Sequence, residues 1–266
     1  MAGRDAFREL QAACRACRRC AAEGIIPEAG PVFSGDADAP FLLVGQAPGP
    51  VEARLGRPFA GRAGRELDRW MARAGFTSDE EFRRLTYITA LMRCFPGRNP
   101  QGTGDRPPPP RAIRNCASWL DAELVLLRPW LLIPVGQLAI RRFLGPGRLE
   151  DRVGRTFGRD PVVIPLPHPS GQSRWLNDPA NRRRLVAALA AIGGERRRYL
   201  AAGAMAARTQ APGSGPPADR LGGAPAGPHP EVRAPDDDHE QDDRSDDLVG
   251  RDRGSDEIGH GVTPPK

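Results

Sequence analysis

The apolar positions of this chain gather into four short runs: FLLV at 41–44, TYITALM at 86–92, WLLIPV at 130–135 and VVIPL at 162–166. Each run gives way to Gly- or Pro-containing sequence. Short apolar runs bounded by turn residues read as strands covered on both faces, the pattern of a parallel sheet. Between them the spacing becomes helical. A helix is expected over residues 4–22, with Phe7, Leu10, Ala13, Cys14 and Cys17 on one side. A second should run over 61–75 through Leu67, Trp70 and Met71, with Gly75 closing it. Thr77, Ser78, Asp79 and Glu80 look like the start of a short helix to about residue 85. Further helices are expected over 111–127, over 137–143, and from Pro179 to about residue 200, the last capped by Asp178. Alternating strands and helices define the α/β fold class, here a three-layer α/β/α arrangement with a central four-stranded parallel sheet. Pro134 and Pro165 fall inside the third and fourth runs and place a sheet irregularity there.

The chain is organised around residues 41–64, FLLVGQAPGPVEARLGRPFAGRAG. An apolar strand leads into a Gly- and Pro-rich loop and then a helix. That order suits a ligand site at the carboxyl end of a parallel strand. Past residue 200 the chain loses aromatics and ends in an acidic run, DDDHEQDDRSDD. Such a segment buries too little apolar surface to offset chain entropy. Two regions follow: a domain over 1–200, and a disordered acidic, Pro- and Gly-rich tail over 201–266.

Charge divides the same way. The net charge is +6 overall, yet residues 200–266 carry 13 acidic and 7 basic side chains, which leaves residues 1–199 near +12. A basic globular part suits an anionic partner, most commonly nucleic acid. The dominance of Arg over Lys, together with abundant Ala, Gly and Pro, is also what a GC-rich coding sequence produces. No apolar run reaches the roughly 18 residues of a membrane helix. The first residues, MAGRDAFRELQAAC, show no signal-peptide pattern. A cytoplasmic monomer acting away from membranes is the expectation, and five cysteines in a reducing compartment point to metal binding or buried thiols.

Cys17 and Cys20 form a C-x2-C pair, and Cys94 and Cys116 lie after the second strand and in the next helix. Four thiolates suit zinc or an iron–sulfur cluster, and spacing does not separate the two. Cys14 with Cys17 is an alternative first pair. His168 is the only histidine before residue 200; it lies in the turn HPSG at the end of the fourth strand, among small residues, where a functional histidine is placed.

Four segments, VGQAPGPVEARLGRPFAGRAG, YITALMRCFPG, LLIPVGQLAI and LPHPSGQSRW, stand in the order and spacing of uracil-DNA glycosylases. The chain resembles the thermophile-type branch, which carries a [4Fe–4S] cluster, over about residues 10–195. The resemblance implies that Cys17, Cys20, Cys94 and Cys116 hold that cluster. It implies that Gln46 and Ala47 amides contact a flipped base, that Phe59 stacks on it, and that His168 donates to its oxygen. Pro169, Ser170, Gly171, Gln172, Ser173 and Arg174 would then meet DNA. Three positions depart from the family pattern. Gln46 and Ala47 stand where one or other branch has an acid, leaving Glu52 as the carboxylate of the loop. Ala90 stands where an asparagine usually reads the uracil edge. The expected function is a DNA glycosylase of base-excision repair, acting on uracil or a related deaminated base. A glycosylase for another lesion, motivated by Ala90, and a non-enzymatic iron–sulfur nucleic-acid-binding module, motivated by Gln46 and Ala47, are the alternatives.

Overall fold

A computed structural model describes residues 2–100, 104–170 and 174–209. In chain order the elements are α1 (Ala2–Arg15), α2 (Arg19–Ala22), β1 (Phe41–Gly45), α3 (Pro50–Leu55), α4 (Arg62–Arg73) and α5 (Asp79–Leu85). They continue with β2 (Thr86–Ala90), α6 (Pro110–Leu127), β3 (Leu131–Pro134), α7 (Gln137–Leu144), α8 (Leu149–Arg152), β4 (Val162–Val163) and α9 (Pro179–Thr209). The four strands pair in parallel in the order β2-β1-β3-β4.

Because successive side chains of a strand point to opposite faces, β1 splits its residues between two cores. Phe41 and Leu43 join Leu67, Trp70 and Met71 of α4, Phe82 of α5, and Leu185, Leu189 and Ile192 of α9. Leu42 and Val44 join Phe7 and Cys14 of α1, Leu120 and Leu127 of α6, and Ala139 of α7. The expected α/β/α layering is present, with every residue of β1 and β2 buried.

The caps follow the sequence. Ser78 accepts from the Glu81 N–H at 3.2 Å, and Asp178 accepts from the Ala180 N–H at 2.7 Å. Pro165 shortens β4: the ladder is regular only at Val162 and Val163 and resumes as a single bridge from Leu166 to Val135. A proline nitrogen has no hydrogen to give a ladder.

Four sequence expectations are corrected. The helix expected over residues 4–22 is broken into α1 and α2, with Cys17 in the break. The Arg18 guanidinium donates to the carbonyls of Arg15 and Cys17 at 3.1 and 3.0 Å and holds the bend. The loop after β1 contains α3, opened by Pro50 at its first turn, so Glu52 is carried on a helix. The long loop after β2 contains an antiparallel bridge from Arg98 to Asp105. The last helix, expected to end near residue 200, runs on as α9 to Thr209 through the Ala-rich stretch after Leu200. Residues 210–266, including the acidic run, lie outside the described residues.

Candidate active site and cysteine pocket

The strand order reverses direction at β1: the chain passes from β1 to β2 on one side and returns to β3 on the other. Ligands bind outside the carboxyl ends of strands at such a switch. A pocket of about 730 Å³ opens there, a size suited to a small organic ligand. It brings together Gln46, Ala47, Glu52, Phe59, Ala90, His168 and Ser170. Pro169 is buried beside it, whereas Arg174 begins a short 3-10 turn away from the lining residues. Gly171, Gln172 and Ser173 lie outside the described residues.

The floor is set by backbone. The carbonyls of Gly45 and Gln46 accept from the N–H groups of Leu91 and Met92, both at 3.0 Å, so the ends of β1 and β2 are locked together. The Gln46 side chain reaches toward Gly136, at the end of β3. A side chain on Gly136 would meet the Gln46 amide nitrogen at 2.3 Å and the His168 ring carbon Cδ2 at 3.4 Å. Gln46 and His168 therefore share one corner of the pocket.

Phe59 is held in a conformation that only its surroundings make tolerable. Its φ is 51°, left-handed for a bulky residue. Its ring stands over Gly45, where a side chain would touch the ring at 3.4 Å. Its carbonyl accepts from Arg83 at 3.2 Å, and Arg83 also bonds the Pro58 carbonyl at 3.1 Å. Gly64 lets the loop pack closely, since a side chain there would sit 1.7 Å from the Phe59 carbonyl oxygen. Sequence reasoning did not find Arg83; a lone arginine in a helix gives no sign of a partner 24 residues earlier.

His168 is half-buried, and burial holds its pKa below the ordinary 6.5. Its Nδ1 accepts from the Ser170 N–H at 3.2 Å. The neutral ring therefore carries its proton on Nε2, as a donor. Glu52 is nearly buried, and its Oε1 accepts from the Gly61 N–H at 2.8 Å, just ahead of α4. Ala90, at the end of β2, offers no polar atom beyond its backbone.

A second pocket is lined by all five cysteines, Cys14, Cys17, Cys20, Cys94 and Cys116, with Arg18, Arg19, Arg93 and Asn115. It encloses only about 10 Å³ of free space. Among the described residues no three His, Cys, Asp or Glu side chains converge closely enough for a single metal ion. Burial pushes the Cys14 thiol up to about 12 and the Cys94 thiol up to about 11, and raises Cys20 as well. Asn115 donates to the Cys20 sulfur at 3.7 Å, and the Gly30 amide bonds Cys94.

Arg93 lies between the two pockets. It is 1% exposed and pairs with Glu123 at 2.5 Å. It also donates to the carbonyls of Ala90 at 3.2 Å and Cys116 at 3.4 Å, while the Tyr87 hydroxyl donates to the other Glu123 oxygen at 2.9 Å. This network was invisible in the sequence.

Fold and pocket define a parallel α/β protein with an open pocket at the carboxyl edge of its sheet, lined by the Phe59 ring and a neutral histidine. The family model for the uracil DNA glycosylase superfamily matches residues 32–192, and the chain belongs to that family. It is 28% identical over 146 residues to the type-4 uracil-DNA glycosylase of Archaeoglobus fulgidus, covering 51% of this chain and 68% of that protein. It is 29% identical to the type-4 enzyme of Thermotoga maritima over 143 residues, covering 52% and 69%. It is 35% identical over 164 residues to the type-5 uracil-DNA glycosylase of Thermus thermophilus, covering 53% and 72%. Among the described residues no helix is long and apolar enough to cross a membrane.

Proposed function

We propose that the protein flips uracil, or a related deaminated base, out of DNA and hydrolyses its glycosidic bond. The chain is a DNA N-glycosylase by family. The observation that carries the reading is the convergence of Phe59 and His168 on one pocket with the Gln46–Ala47 backbone. A base inside a duplex cannot be reached, so it must be extruded, and stacking on an aromatic ring holds it there. As the bond breaks, negative charge gathers on the base oxygen and positive charge on the sugar. A preformed Nε2–H donor at His168 stabilises the first. The carboxylate of Glu52 faces the second. Pro169, Ser170 and the segment through Gly171, Gln172, Ser173 and Arg174 meet the DNA, and the protein acts as a monomer in the cytoplasm. Incubating it with uracil-containing single- and double-stranded oligonucleotides tests this: alkali-labile abasic sites are the expected product, and intact strands at high enzyme excess would refute the reading.

Ala90 favours a second substrate range. A pocket without a side-chain amide at this position cannot form the paired hydrogen bonds that reject near-isosteric bases. Hypoxanthine and xanthine strands belong in the same assay.

The cysteine pocket suits a [4Fe–4S] cluster held by Cys17, Cys20, Cys94 and Cys116. The donor set carries this fit: thiols only, arginines that offset the negative charge of a thiolate-bound cluster, and N–H groups directed at two sulfurs. Bound there, the cluster would tie the α1–α2 break, α2, α6 and the loop after β2 together and would take no part in the hydrolysis. Cys14 lines the same pocket and is the spare thiol. Cys94→Ser is expected to yield protein without brown colour and with under half the iron of the parent, read by absorbance and iron analysis; a colourless parent containing zinc would reverse the assignment.

Gly64→Ala should displace Phe59 and cost about 1–3 kcal/mol of affinity for a uracil-containing single strand, close to the effect of Phe59→Ala. Fluorescence anisotropy at fixed salt measures it. Parental affinity in Gly64→Ala would show that the ring position does not matter.

A further inference from the structure

The hairpin after β2 brings a second carboxylate to the base pocket. Arg98 and Asp105 bridge its two arms, the Arg106 N–H bonds the Gly97 carbonyl at 2.9 Å, and the Asn99 N–H bonds Gly104 at 3.1 Å. The Arg106 guanidinium anchors the hairpin to the Ile25 carbonyl at 2.9 Å. Asp105 thereby lines the same pocket as Glu52, Phe59 and His168. A side chain at Gly49 would meet Glu52 Oε2 at 2.8 Å and Asp105 Oδ2 at 3.3 Å. The two carboxylates therefore lie within about 6 Å of one another, a range in which like charges disfavour each other and a cation between them is welcome.

The two acids are not equivalent. Glu52 is 9% exposed and has one oxygen committed to the Gly61 N–H. Asp105, also on the pocket lining, keeps 39% of its side chain accessible, with Arg98 Nη1 at 3.4 Å. Water therefore reaches Asp105 more readily than Glu52.

We propose that Asp105 is a further catalytic carboxylate of this pocket, facing the sugar and taking the proton of the attacking water, with Glu52 as its fixed neighbour. The proposal rests on the base-excision reading. The C1′–N bond breaks, and its electron pair leaves with the base, whose oxygen is held by His168. Water forms the new C1′–O bond. Its proton passes to the Asp105 carboxylate and on to solvent, and the base anion is protonated by solvent. The products are the abasic sugar and the free base, with no oxidant or co-reactant required.

The test uses the full chain with Asp105→Asn, Asp105→Glu and His168→Ala. Single-turnover release of uracil should fall about 10²-fold in Asp105→Asn, and Asp105→Glu should recover part of it. A second measurement reads the charge directly. DNA carrying a cationic pyrrolidine in place of the target sugar should bind the parent at least about ten times more tightly than DNA carrying neutral tetrahydrofuran, and Asp105→Asn should lose that preference while binding the neutral strand normally. A parental rate and a parental cation preference in Asp105→Asn, beside an inactive His168→Ala, overturn the role of Asp105 and leave base excision standing. A parent that releases no base from any strand refutes base excision, and this proposal with it.

Discussion

Replacing His168 with alanine is expected to slow single-turnover uracil release by about 10²–10³-fold, the usual cost of removing one donor from a developing oxyanion. DNA affinity should change only a few-fold, because the donor matters most once the bond is breaking. The geometry fixes the tautomer of the ring. Ser170 N–H occupies Nδ1, so the imidazole donates from Nε2 while neutral. Protonating Nδ1 would break that contact. Burial lowers the pKa of His168 from 6.5. The rate should therefore stay flat, as far as His168 governs it, as pH falls through 6.5, and decline only at lower pH. The sign for stability is the same: the unfolded chain takes up this proton more readily than the folded one, so the fold weakens as pH drops below the unfolded value. A pH–rate profile of the parent checks both the donor and its protonation state. A loss of activity that begins above pH 6.5, absent in His168→Gln, would point to a charged histidine and sink the neutral-donor mechanism.

The largest stability effect is expected at Glu123. Removing its carboxylate by Glu123→Ala leaves the Arg93 guanidinium, 1% exposed, without its counter-charge. Breaking a buried pair from one side costs about 3–5 kcal/mol. It also strands the Tyr87 hydroxyl, which donates to the same carboxylate. Urea unfolding should show the loss as a lower midpoint with an unchanged slope. Arg93→Met with Glu123→Leu should cost less than either single change, since replacing both partners by apolar groups removes the unpaired charge. A double variant as unstable as the sum of the singles would mean that the network acts through the backbone bonds of Arg93 to Ala90 and Cys116.

The central sheet was legible because its strands are buried on both faces, and such strands keep an apolar run that sequence displays directly. Phe41–Val44 and Ile88 needed no context to be read. Ser78 and Asp178 were legible for a local reason: a cap bonds within three residues of itself. The misses share the opposite property. α3 was hidden by Pro and Gly residues that usually signal loops, although Pro50 at the first turn is compatible with a helix. The bridge from Arg98 to Asp105 depends on a hairpin whose sequence carries no alternating pattern. Arg93 and Glu123 lie thirty residues apart and meet only because β2 and α6 pack together. His168 was singled out by its turn at the end of the fourth strand, and residues 41–64 as a ligand loop, but the roles of Gln46, Ala47, Glu52, Phe59 and Ala90 came through resemblance to a family. No spacing in the sequence places them together, because they come from the ends of β1, β2 and β4 and from the loops between.

The backbone at Phe59 limits how this sequence can drift. Position 59 tolerates its left-handed backbone because Gly64 leaves room for the carbonyl and Arg83 bonds it. Residues 59, 64 and 83 thus behave as one heritable unit, although they span a loop and two helices. A single enlargement at 64 strands the ring, and a single loss at 83 frees the carbonyl. A redesign that wants a different aromatic platform must change the three positions together, and a recombination crossover between 64 and 83 risks joining a platform to the wrong support.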